Sequence, residues 1–134
     1  MQSQLKKPLC NQLLVLFAVV FTCVGCKSAS EAHRVNAGTA KETLNEVLLS
    51  WQRGESPQDW RKRTPQVVVQ DMDWLAGAKL IDFEFVDEPQ AVDANLHCDV
   101  KLKLSTNQGV TKERRVTYLV GTSPVLTVFR SLQQ

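Results

Sequence analysis

Apolar and polar positions follow one another in three different ways along this chain, and each way predicts a different structure. Leu13 to Gly25 is an unbroken apolar run apart from Thr22. Lys27 to Gly38, KSASEAHRVNAG, has no apolar period and predicts a flexible tether. From Thr39 onward apolar residues recur first at helical and then at strand spacing, which predicts a single folded domain over 39–134. In TAKETLNEVLLSWQRG, Leu44, Val47, Leu48 and Trp51 share one helical face, Thr39 with Glu42 reads as a capping box, and Gly54 reads as the stop. Ser56 and Pro57 then start a second, short helix that carries Trp60 and ends before Thr64-Pro65.

Beyond Pro65 the period changes to two. VVVQ is a short β-prone run, and DMDWLAG predicts a single helical turn capped by Asp71 and ended by Gly77. Ile81, Phe83 and Phe85 alternate with Asp82 and Glu84, and Leu96, Cys98, Val100, Leu102 and Leu104 alternate with polar neighbours in the clearest strand pattern of the chain. Asn107-Gln108-Gly109 supplies a turn, Val116, Tyr118 and Val120 line one face of a further strand, and Gly121-Thr122-Ser123-Pro124 turns into VLTVFR. The expected fold class is α+β: an N-terminal helix packed on a curved, cone-like antiparallel sheet of about four to five strands. That order of elements resembles the nuclear-transport-factor-two-like and cystatin-like folds, in which such a sheet cradles a helix. The resemblance implies a cone whose interior holds Asp, His or Tyr in some enzymes, and here Asp71, Asp73, His97 and Tyr118 are the candidates.

The chemistry of the N-terminus concerns location. Lys6 and Lys7 without an acidic neighbour, followed by the apolar run, have the order of an export signal. The run is well short of the roughly 20 residues that span a bilayer. At its end, Cys23-Val24-Gly25-Cys26 resembles the lipobox of bacterial lipoproteins, with Cys23 standing where that family usually has Leu. The resemblance implies a signal peptide over 1–25, a lipidated Cys26 at the head of a tether over 26–38, and attachment to the cell membrane or outer membrane, facing the periplasm or exterior. The alternative is a plain secreted protein cut near Ser30. Once Cys10 and Cys23 leave with the signal and Cys26 carries lipid, Cys98 is the single remaining thiol, which excludes an internal disulfide. Cys23 and Cys26 lack the further ligands or βα context of a zinc or thioredoxin site.

Charge removes other classes. Of 16 Lys and Arg, Lys6 and Lys7 lie in the signal, leaving 14 against 14 Asp and Glu, so the exported part is neutral and nucleic acid is not an expected partner. Arg61-Lys62-Arg63 and Lys112-Glu113-Arg114-Arg115 read as solvated faces or as contacts for anionic headgroups. His33 falls in the tether and His97 opposite the Leu96 face, so no Ser/His/Asp set assembles, and no metal-ligand spacing or cofactor motif is present. The reading is therefore a non-enzymatic binding or assembly module of the cell envelope, taking a partner protein or a small apolar ligand. An isomerase- or hydrolase-like enzyme using the cone pocket is the alternative. Trp51, Trp60 and Trp74, with Phe83 and Tyr118, either line a pocket or patch or fill the core, and Trp74 is expected over the concave side near Ile81 and Phe83. Leu119, Leu126 and Val128 are expected on an outer sheet face suited to a homodimer.

Overall fold

The computed structural model describes residues 34–132. The export signal, Cys26, the alternative cleavage near Ser30 and His33 lie outside the described residues. Helix α1 spans Ala37–Gln52 and begins earlier than the Thr39 capping box suggests: Asn36 is the cap, its side chain accepting the Thr39 N–H at 3.0 Å. Ala40, Leu44, Val47, Leu48 and Trp51 are buried on its inner face. A 3-10 helix at Pro57–Lys62 follows, capped by Ser56. Then come β1 (Val67–Gln70), the single turn α2 (Met72–Leu75), β2 (Lys79–Phe85), β3 (Gln90–Val92), β4 (Asn95–Ser105), β5 (Thr111–Gly121) and β6 (Leu126–Arg130). No described helix is long and apolar enough to cross a membrane.

One helix packs on a strongly curled sheet, as expected for an α+β domain, and the sheet is mixed. Its order is β1-β6-β5-β4-β2, with β3 paired to β4. β1 runs parallel to β6, with Val67 opposite Leu126, and the other pairings are antiparallel. The first and last strands thus lie side by side, so α2, which follows β1, falls beside the C-terminal end of β6.

Alternation holds where the ladder is long. Leu96, Cys98, Val100, Leu102 and Leu104 of β4 and Val116, Tyr118 and Val120 of β5 all face inward and are buried. β2 departs from its expected face because the register slips between Leu80, opposite Leu104, and Asp82, opposite Lys103. The extra residue of this bulge is Ile81, turned out to 46 % exposure, while Leu80 is buried and Phe83 and Phe85 pack against the core. β6 also faces the other way from the expectation. Val128, opposite Val120, is fully buried, and Leu126 packs on the core, so neither contributes to an outer dimer face. The outward pair is Leu119 with Phe129.

Candidate functional site

Two glycines of positive φ organise one pole of the domain. Gly54, at φ 80°, donates its N–H to Trp51 O (2.9 Å) while Glu55 N–H reaches Ser50 O (3.0 Å). Gly77, at φ 87°, does the same for α2: its N–H meets Trp74 O (2.9 Å) and Ala78 N–H meets Asp73 O (2.9 Å). Both helices therefore end in the same left-handed cap, and each cap exposes a carbonyl just beyond the glycine. The two tryptophans exchange donors across these ends. Trp51 Nε1–H donates to Ala78 O at 2.8 Å, and Trp74 Nε1–H donates to Glu55 O at 3.1 Å. Their rings stack with centroids 5.0 Å apart and planes 6° from parallel. Each polar tip is thus satisfied and one face of each ring is covered by the other.

Trp60 is fixed independently, donating to Ser50 Oγ at 2.7 Å while Ser50 Oγ donates to Val47 O at 2.8 Å, with Arg63 stacked 3.8 Å over its ring. All three tryptophans are buried, and Trp74 lies stacked on Trp51. A shallow hollow of about 370 Å³ borders the Trp51–Trp74 pair, between the Gly54–Gln58 segment and Leu75–Lys79. Phe83 makes an edge-to-face contact with Phe85 and takes no part in it.

One of the acidic candidates, Asp71, does meet Tyr118. Asp71 caps α2, accepting Trp74 N–H on Oδ1 at 3.0 Å, and its Oδ2 accepts the Tyr118 hydroxyl at 2.7 Å. Arg130 Nη1 stands 3.6 Å from Asp71 Oδ1 and donates to Asp73 Oδ2. Asp71 is 1 % exposed, so both carboxylate oxygens are committed inside the protein. Burial, reinforced by the Asp71 charge and hydrogen bond, raises the Tyr118 pKa well above its ordinary value and keeps the phenol a neutral donor. Asp73 is more open. Burial works against its ionisation, but the hydrogen bond and charge of Arg130, with Arg114 and Lys112, hold its carboxyl below the usual range. Arg130 did not stand out in the sequence, yet alternation from inward Val128 places it on the inner face, where an arginine at a strand end calls for a carboxylate.

The remaining candidates stand apart. His97 lies on the other face of β4, opposite Leu119 and Gln90. Cys98 is fully buried opposite Tyr118, and burial pushes its thiol up to about 11, where it is inert at neutral pH. Among the described residues no group of three or more His, Cys, Asp or Glu side chains is placed to hold a metal ion.

Beside the sealed Asp71–Tyr118 pair an open cleft of about 710 Å³ runs between α2, the middle of β5 and the end of β6. Met72, Asp73, Arg114, Val116, Arg130 and Leu132 are among the residues that line it. Asp73 is ringed by three cations, Arg130 in hydrogen bond, Arg114 at 3.5 Å and Lys112 at 3.9 Å. The last two separations exceed the roughly 2.7–2.9 Å of a charge-assisted hydrogen bond. What this arrangement can do chemically is bind a negatively charged group, because Lys112, Arg114 and Arg130 outnumber Asp71 and Asp73 by one charge. No protein-family model matches the chain, and no curated protein or solved structure is found to be similar to it.

Proposed function

We propose that this chain is a lipid-anchored binding or assembly module of a bacterial cell envelope, held at the membrane through Cys26 and engaging its partner through the cleft between α2 and β5. The reading is carried by the polarity of the domain. Asn36 N–H donates to Thr122 Oγ1 at 3.0 Å, which holds the start of α1 at the Gly121 end of β5. Lys112 and Arg114 lie toward the other end of that strand. At ~3.3 Å per residue the two places are roughly 25–30 Å apart. A domain fastened to a membrane at the first pole presents the second to the periplasm or exterior.

The state of the acidic and phenolic groups favours binding over catalysis. A general base needs a free lone pair within reach of substrate, and Asp71 is buried with one oxygen accepting the Trp74 N–H and the other the proton that Tyr118 donates. The groups that reach the cleft are Asp73 and cations, and cations orient and hold an anion. The Val24-Gly25-Cys26 step supports the anchor. Replacing Cys26 by Ser in the natural host tests it: the account expects loss of fatty-acid labelling together with loss from the membrane fraction. A Cys26→Ser protein that still labels and still sediments with membrane contradicts the lipid anchor.

A further inference from the structure

Two hydrogen bonds fix which way the backbone of β5 faces. Thr106 N–H donates to Val110 O at 2.9 Å at the β4–β5 hairpin, and Ser131 N–H donates to Thr117 O at 2.8 Å at the end of β6. By the two-residue period of an antiparallel ladder, even-numbered residues of β5 bond to β4 and odd-numbered residues face β6. Among the described residues β6 pairs with Tyr118 to Gly121 on this side, and Ser131 N–H bonds Thr117 O just beyond it. Glu113 and Arg115 therefore turn their N–H and C=O groups away from β4, on the side where Arg115 borders the cleft, and no described strand pairs with them.

Resting on the reading of the chain as a binding module, we propose that this edge takes an acidic, extended segment of a partner protein, added as a further strand alongside Thr111–Val116. Main-chain bonds to Glu113 and Arg115 supply the common affinity of strand addition, and the side chains supply the choice of partner. Lys112 and Arg114 project on the inner face beside Val116, with Met72 at 60 % exposure forming an apolar rim across the cleft. An incoming strand meets cations at two successive inward positions and apolar surface at the next. Charge also works against a second copy of the same edge as occupant. Arg115 is paired with Asp87 and Asp99 and Glu113 with Lys101 on the outer face, but Lys112 and Arg114 on the inner face share only Asp73, and a twin edge brings a second pair of such cations to the same cleft. The same charges that repel a twin attract a segment rich in Asp or Glu.

The test is a titration of the full chain, in nonionic detergent micelles and labelled for NMR, with a blocked octapeptide of alternating Glu and Thr. A peptide with Lys in place of every Glu is the control. The expected result is saturable binding of the Glu peptide, new exchange protection at the Glu113 and Arg115 amides, and no response to the Lys peptide. Lys112→Glu, at a half-exposed position, is expected to weaken binding at least tenfold with unchanged amide dispersion, and Arg114→Glu to do the same. Absence of saturable binding at millimolar peptide, equal binding of both peptides, or shifts confined to the Trp51–Trp74 hollow overturns the proposal and leaves the basic residues as guards of an unpaired edge. Because the titration does not depend on the lipid, its failure is separate from failure of the Cys26→Ser test.

Discussion

The turn α2 separates two regions built on opposite principles. On one side Trp74 meets Trp51, and every donor finds one acceptor: two indole N–H groups, two carbonyls, two matching caps. On the other side Asp73, partly exposed, meets Lys112, Arg114 and Arg130, and even with Asp71 also facing Arg130 the cations are in excess by one. The first region is closed and saturated, so it can only hold the fold together. The second is open and carries surplus charge, so it has capacity left for a partner. Asp71 belongs to the first region although it is ionic, because Trp74 N–H and the Tyr118 hydroxyl take one of its oxygens each.

Substitutions on the two sides should therefore divide between loss of stability and loss of binding. The largest effect is expected for Trp74→Ala, which removes a buried ring, its stacking on Trp51 and the bond to Glu55 O; urea denaturation should show a loss of roughly 3–5 kcal/mol. A loss below about 1 kcal/mol places Trp74 outside the core and directs the search for a ligand to the hollow beside it. Tyr118→Phe should cost less, about 1–3 kcal/mol, by leaving Asp71 Oδ2 buried without its donor. The pH dependence of that cost has a definite sign. The Tyr118 pKa is raised in the folded state, so the native phenol stays protonated when the unfolded one ionises, and its stabilising contribution is present below about pH 10 and lost above it. Denaturation curves of the protein and of Tyr118→Phe should thus approach each other as pH rises past about 10, and a constant gap contradicts a Tyr118 hydroxyl held neutral by burial beside Asp71. The smallest stability effect is expected for Arg114→Ala, below about 1 kcal/mol for a pair this exposed. A cost as large as that of Trp74→Ala removes the distinction between the two regions.

The two regions were not equally legible in the sequence. The saturated one was written in local signals: helical spacing through Trp51, Gly54 and Gly77 as stops, and Asp71 as a cap each depend on a few neighbouring residues. The strict alternation of β4 predicted its buried face for the same reason. The cleft depends on which strands end beside each other, and that is not local. Nothing in VVVQ says that it pairs parallel with the last strand, and without that pairing α2 has no address beside Arg130 and Arg114. β6 is short enough that either face of LTVFR fits a period of two, and choosing the wrong one hid Arg130. The bulge at Ile81 likewise breaks a pattern that reads as regular strand, since an inserted residue changes the phase without changing composition. The start of α1 was displaced for a smaller reason: Asn36 and Thr39 are both good caps, and Asn36 prevails with its main-chain N–H bonded to Thr122 across the fold.

Hydrogen exchange on the intact protein compares both regions in one experiment. The account predicts that the Nε1–H groups of Trp51 and Trp74 exchange only with opening of the core, while the Glu113 and Arg115 amides exchange orders of magnitude faster than those of Val116 and Tyr118 on the same strand. Slow exchange at Glu113 and Arg115, matching their neighbours, would mean that this edge is already paired and the cleft has no strand to accept. Rapid exchange of the two indoles would mean that the tryptophan pair does not lock the pole, and either result contradicts the division on which the functional reading rests.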